Sequence, residues 1–272
     1  MVQADLTDLA SLPPAFAGAS AIFLNTDFWV SFYPAKAALE VEGKDITPAS
    51  QIAFDFETMC GKNAAVAAAG VPTLERIVVS GLGSVATDGK YTRSLHPESK
   101  DWIVRYIERE QPELAKKMSI ILLGAYNTNR LLAPTRDKES GVYKFFSPVH
   151  EKTHLPTIDP QNSTGPFVRE LIQTEGPGTK LLAYDSNLTV AEIVETWSQA
   201  TGKKGVFVPV TTQQLHMMGG LWEHLDAVDY LNEHDAYENK LPGFIRPHQL
   251  TTKVETKSLE QWIKTQDWDE AD

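Results

Sequence analysis

Four short apolar runs divide the first two thirds of the chain: residues 21–25 (AIFLN), 76–81 (RIVVSG), 119–126 (SIILLGAY) and 180–185 (KLLAYD). Each is apolar at both odd and even positions. That predicts strands covered on both faces, the habit of a parallel sheet. The segments between them carry helix punctuation. Residues 49–69 read as a helix closed by Gly70, with Pro72 preventing its continuation. Ser99 reads as the cap of a helix that presents Trp102, Ile103, Tyr106 and Ile107 on one face. Thr189 and Glu192 spell a capping box before a helix with Val190, Ile193, Val194 and Trp197 inward and Gly202 beyond its end. Ser258 and Gln261 open a last short helix in the same way. Strand–helix–strand alternation predicts an α/β fold with right-handed crossovers and helices on both faces of a parallel sheet. Beyond residue 130, prolines and short polar stretches multiply. Residues 1–130 are therefore expected to form the sheet core, and 131–272 a mixed segment adding further strands and a smaller lobe on the substrate side.

Composition narrows the partners. A chain of 272 residues, 42% hydrophobic and 22% charged, can bury an ordinary globular core. Its net charge of −11, with no Lys/Arg cluster to offset it, speaks against nucleic acid and anionic membranes as partners. The single cysteine, Cys60, leaves no internal disulfide or Cys-based zinc site and suits a reducing compartment. The first residues hold Asp5 and Asp8 and no long apolar run. Neither a signal peptide nor a membrane span is expected, and a cytoplasmic location is. Asp267, Asp269, Glu270 and Asp272 read as a solvated acidic tail.

Two stretches spell chemistry that their surroundings do not support. Gly81-Leu-Gly-Ser-Val-Ala86 matches the dinucleotide-binding G-x-G-x-x-A. That turn needs a helix directly after it, so that the helix N-terminus meets the pyrophosphate. Here Gly83 is followed by SVATDGKYTRSLHPES, which has no helical apolar period, and Asp101 falls in the first turn of a helix rather than at a strand end. His150-Glu-Lys-Thr-His154 matches the zincin H-E-x-x-H, which requires both imidazoles on one helical face. Pro148 and Pro156 bracket it and predict an extended polar loop with two exposed histidines. No metal site is expected.

Several segments in order resemble the NmrA-like family of atypical short-chain dehydrogenases. VQADLTDLASLPPAFAGASAIFLNTDFW is similar to that family's passage from its third strand into its fourth, and AAAGVPTLERIVVSGLGSV to its fifth strand and the helix before it. KYTRSLHPESKDWIVRYIER resembles the segment with its active-site lysine, LLGAYNTN its sixth strand, and IDPQNSTGPFVRELI the start of its C-terminal lobe. The resemblance runs from Val2 to about Trp268. It implies a truncated Rossmann-like parallel sheet, with residues 1–130 an incomplete Rossmann-like core. It makes Gly81–Ala86 the loop after the fifth strand. The family's own glycine turn would lie upstream of Met1, so the first two strands and the phosphate cradle are expected to be absent. No cofactor is then expected, NAD(P)H being the alternative if the site is rebuilt or an upstream segment exists. Loss of the central strand would also leave residues 21–25 as an open apolar edge. A homo-oligomer across that edge, or cover by the N-terminal residues, is expected.

Ligands of such sheets sit beyond the carboxyl ends of the strands. Those ends bring Asn25, Thr26 and Asp27, then Ser80, Gly81 and Leu82, then Tyr126, Asn127 and Asn129, into consideration as ligand-contacting residues. The resemblance gives Lys100 the family's lysine position, and His96 stands where the Tyr of Tyr-x-x-x-Lys would be. Histidine titrates near neutrality and can move a proton either way. His96, Lys100, Ser80 and Tyr126 are thus the candidate acid/base groups. Three readings stay open. The first is an enzyme acting on a small organic molecule without hydride transfer, of isomerase, cyclase or lyase type. The second is a non-catalytic regulator or redox sensor of the same family. The third is an NAD(P)H-dependent reductase.

Overall fold

The apolar runs become strands. The computed structural model describes residues 2–86, 89–129, 132–235 and 241–268, so Asp269, Glu270 and Asp272 of the acidic tail lie outside the described residues. In chain order the elements begin α1 (Leu12–Phe16), β1 (Ala21–Leu24), α2 (Trp29–Val41), α3 (Pro48–Ala69), β2 (Arg76–Ser80), α4 (His96–Glu110), α5 (Pro112–Ala115) and β3 (Met118–Leu123). They continue β4 (Ala125–Tyr126), β5 (Thr135–Arg136), β6 (Tyr143–Ser147), β7 (His154–Ile158), α6 (Pro160–Gln173), β8 (Lys180–Ala183) and β9 (Ser186–Thr189). The last are α7 (Val190–Thr201), β10 (Gly205–Pro209), α8 (Thr212–Met217), α9 (Trp222–His234), β11 (Phe244–Ile245) and α10 (Leu259–Ile263). The chain divides into two units, residues 1–122 with 168–181, and residues 123–167 with 182–272.

In the first unit β1, β2 and β3 run parallel, with Leu24 beside Val79 and Val79 beside Ile120. β8 follows β3 in the strand order. Ile77, Val78 and Val79 are all buried, as a strand apolar on both faces requires. Among the described residues β1 pairs with β2 alone, and Phe23 on it is 40% exposed.

α3 carries a face of small residues, Ala53, Gly61, Ala64 and Ala68, that lets α4 approach closely. A Cβ at Gly61 would stand 2.4 Å from the Ile103 side chain, well inside contact distance. Gly61→Ala is therefore expected to lower stability by about 1–3 kcal/mol through overpacking, read as an earlier denaturant midpoint.

Two sequence expectations about this unit need correction. α4 begins at His96, not after Ser99, because Pro97 suits the first turn and fixes its backbone. Ser99 is a fully buried position inside the helix, and Lys100 sits in its second turn rather than at its start. The face expected of Trp102, Ile103, Tyr106 and Ile107 also splits. Ile103 and Ile107 are buried, while Trp102 and Tyr106 are half-buried and stack on each other at 5.3 Å.

The second unit holds two small mixed sheets, β10-β6-β5 and β4-β7-β9. The run 119–126 does not continue as one strand. It breaks at Gly124, where a Cβ would lie 2.7 Å from the Pro156 carbonyl oxygen, and β4 joins a different sheet from β3. Both capping boxes form, with Thr189 capping α7 and Ser258 capping α10, and Gly202 takes the left-handed conformation after α7. α7 buries Val190, Ile193, Val194 and Trp197 as its period predicts. Trp197 is 1% exposed and packs against Tyr143 at 4.9 Å and Phe145 at 5.3 Å. His150 and His154 are exposed, and the chain between them is turn rather than helix. Among the described residues no group of three His, Cys, Asp or Glu is placed to hold a metal, and no helix is long and apolar enough to cross a membrane.

Candidate functional site

The carboxyl end of β1 delivers Asn25, Thr26 and Asp27 to a cleft of about 520 Å³ in the first unit. Residues 3–7 form one wall, Val30 of α2 adds to the rim, and Phe56 and Cys60 of α3 supply the apolar side. Asn25 and Asp27 are exposed, whereas Thr26 is buried. Asp27 turns back to accept a hydrogen bond from the Trp29 backbone amide at 2.8 Å. Asp5 does the same for Thr7, accepting from both its amide and its hydroxyl at 2.8 Å. The Thr7 amide and then its hydroxyl hold the Asp5 carboxyl below its usual range.

Beside this cleft lies a buried polar knot. Glu57 of α3 is fully buried. One carboxylate oxygen accepts from the Thr26 hydroxyl at 2.7 Å and pairs with the Lys100 ammonium at 2.7 Å; the other accepts from the Ser99 hydroxyl. Lys100 also donates to the Thr26 carbonyl and to the Thr26 hydroxyl at 3.0 Å. An ammonium has three N–H groups. The Glu57 carboxylate and the two Thr26 oxygens supply an acceptor for each. Lys100 thereby ties α4 to α3 and to the end of β1.

His96 is half-buried, with its ring 5.3 Å from that of Trp29 and 6.1 Å from that of Phe28. It is not among the residues lining the cleft. Ser80, half-buried, closes β2, and Gly81 follows it with Ile120 close enough that a Cβ would approach to 3.1 Å. Leu82 is half-buried in the loop beyond.

The glycine-rich loop is occupied by the chain itself. Glu98, in the first turn of α4, accepts from the amides of Val85 at 2.7 Å and Ala86 at 3.0 Å and from the Ser84 hydroxyl at 2.7 Å. The loop does gather donors for an anion, as its spelling suggests, but the anion is an internal carboxylate.

Tyr126, Asn127 and Asn129 belong to the second unit. Tyr126 and Asn129 are exposed, and the Asn129 amide donates to the Tyr126 carbonyl across a turn. Asn127 is 4% exposed, and both polar atoms of its side chain are buried without a partner among the described residues.

Sequence reasoning missed Glu57, Ser99 as its partner, and Glu98. Glu57 had a readable signal. It interrupts a face otherwise made of Ala53, Gly61, Ala64 and Ala68, and a carboxylate on such a face needs a buried cation.

The profile of the NmrA-like family matches residues 1–270. Among curated proteins nothing matches the chain. Among solved structures it is similar to NmrA, a negative transcriptional regulator, in complex with NAD: 16% identity, TM-score 0.66, over 97% of this chain and 79% of that one. It is also similar to the NADPH-dependent quinone oxidoreductase QOR2 of Escherichia coli complexed with NADPH: 15% identity, TM-score 0.61, over 96% and 81% of the two chains. The triphenylmethane reductase of Citrobacter sp. complexed with NADP(H) gives 14% identity and TM-score 0.60 over 97% and 82%. At such identities the likeness is one of fold.

The described residues here do not suit a dinucleotide's pyrophosphate. The cleft at the end of β1 is lined by two carboxylates and by no Lys, Arg or His, and the loop amides that suit an anion are taken by Glu98.

Proposed function

Since the chain belongs to the NmrA-like family, we propose that it acts as a non-catalytic, ligand-binding regulator of that family. The cleft at the end of β1 takes a small organic molecule, and no hydride is transferred. The observation that carries this reading is the commitment of Lys100. Its ammonium faces Glu57 and Thr26, which leaves no N–H to steer a nicotinamide ribose or a proton. The regulatory NmrA has the same fold.

Acid/base chemistry of isomerase, cyclase or lyase type would need His96, Ser80 or Tyr126 at the cleft; none of them lines it, and the packing of the His96 ring against Trp29 at 5.3 Å supports a packing role for it instead. The reductase reading is the one to test. Purified protein mixed with NADPH and a quinone should consume no reduced nicotinamide beyond a protein-free control. Nicotinamide oxidation above that control, saturable in quinone, would replace this reading with the reductase.

The regulator also acts as a pair of chains in this proposal. β1 presents an edge without Lys, Glu or Pro to blunt it, and Phe23 stands exposed on it. Sedimentation of the intact chain is expected to give a dimer that Phe23→Lys dissociates, and a monomer at high concentration would remove the proposal.

A further inference from the structure

α3 packs against α1, α2 and α4, yet it leaves a line of apolar side chains in the open. Ile52, Met59 and Val66 are 47%, 41% and 36% exposed. Seven residues fall about 20° short of two helical turns, so the three share one stripe, at intervals of about 10.5 Å. A single exposed apolar residue is ordinary; a regular line of them is a seam. We propose that this seam joins two copies of the chain, their α3 helices running antiparallel about a two-fold axis at Met59. The proposal goes beyond the ligand-binding reading and rests neither on it nor on the edge of β1.

The placement of charge selects a second copy as the occupant. Asp55 and Lys62 are the exposed charged residues of α3, and helical geometry puts both on the same flank of the stripe. On other helices a basic side chain finds a carboxylate one turn away: Lys36 pairs with Glu40, Arg105 with Asp101 and Lys264 with Glu260. Asp55 and Lys62 stand seven residues apart, and neither makes an ion pair among the described residues. Asp55 accepts from the Gln51 side chain at 2.8 Å, and the Lys62 ammonium lies 5.9 Å from the Tyr106 ring centroid. An antiparallel pair centred on Met59 sets Asp55 of each copy against the partner's Lys62, so both charges are matched, twice. A parallel pair would bring like charges together.

The apolar ends of the seam fit the same axis. It sets Ile52 of each copy opposite the partner's Val66. Beside Val66 lies a cleft of about 450 Å³, lined by Leu9, Pro13, Val71 and other apolar or glycine residues. That cleft is the hole for the partner's Ile52. One narrow stripe gives an interface at the low end of the size range, so the helix pair is weak and forms at about 0.1 mM.

The test uses the intact chain carrying Phe23→Lys, which removes pairing across β1, and Cys60→Ala, which removes its one thiol. At about 0.1 mM, Met59→Cys should be joined into a dimer by a short bis-maleimide. Ile52→Cys alone and Val66→Cys alone should not, because each would lie about 21 Å from its own counterpart. A mixture of those two should give the crosslinked pair. Lys62→Glu sets carboxylates against each other at both ends and should weaken association in sedimentation about tenfold. Adding Asp55→Lys to it reverses both charges and should restore the pair. No Met59→Cys dimer, Ile52→Cys joined to itself as readily as to Val66→Cys, or a double variant no tighter than Lys62→Glu would each overturn the proposal. A wild-type chain that is monomeric at micromolar concentration defeats the edge pair and leaves this one standing.

Discussion

Glu57→Ala is expected to cost about 3–5 kcal/mol of folding stability, a large part of the roughly 5–15 kcal/mol typical of a folded domain. Glu57 is fully buried and Lys100 nearly so, with side-chain exposures of 0% and 12%. Removing the carboxylate leaves an ammonium in a dry interior with only the two Thr26 oxygens to face it. It also strips the acceptor from the Thr26 hydroxyl and leaves that of Ser99 only the His96 carbonyl, at 3.1 Å. The double variant Glu57→Leu with Lys100→Met removes both charges and fills the space. It should recover most of the loss, because a buried ion pair replaced by apolar side chains is often neutral. Urea unfolding of the wild type, each single variant and the double variant measures this coupling. A loss below about 1 kcal/mol for Glu57→Ala, the range of an exposed ion pair, would show that the knot is solvated and that Lys100 is not a clamp.

Trp197→Ala is the second large effect, an expected loss of about 3–5 kcal/mol centred on the second unit. The indole is 1% exposed and is the hub of an aromatic set with Tyr143, Phe145 and Trp268, at 4.9, 5.3 and 5.6 Å between ring centroids. Alanine leaves a void that neighbours held by β6, β10 and α7 cannot close. Hydrogen exchange should show the amides of β6 and β10 losing protection. Trp197→Phe is a sharper comparison. The indole N–H is buried without a partner among the described residues, so removing it relieves a desolvation cost while most of the apolar area stays. That variant should lose clearly less than the alanine. Equal losses would place the importance of Trp197 in the N–H and not in packing.

The strands and caps were legible because they depend on neighbours in sequence. Ile77-Val78-Val79 announces a doubly covered strand, and Thr189 with Glu192 announces a helix start. The break at Gly124 was not legible, because it depends on Pro156 passing close by, a neighbour far along the chain. The start of α4 was misplaced for a related reason. Ser99 looks like a cap in one dimension, but its hydroxyl serves Glu57, forty-two residues earlier. The candidate site divides the same way. Topology points to the strand-end residues Asn25, Thr26 and Asp27, and these line a cleft of the first unit. The role of Lys100 was not, since the resemblance supplied a position and the structure supplied a partner, Glu57, that the resemblance did not name. The glycine loop teaches the converse. Its spelling does report an anion nest, and only the fold reveals that Glu98 fills it.

As proposed above, this member of the family binds a ligand other than a dinucleotide. Calorimetric titration of the intact chain with NADPH and with NADH tests it most directly. No saturable heat is expected up to millimolar concentration, because the described residues that line the cleft include two carboxylates and no cation. Saturable binding at micromolar concentration would contradict it and return the protein to the nucleotide-dependent members of its fold.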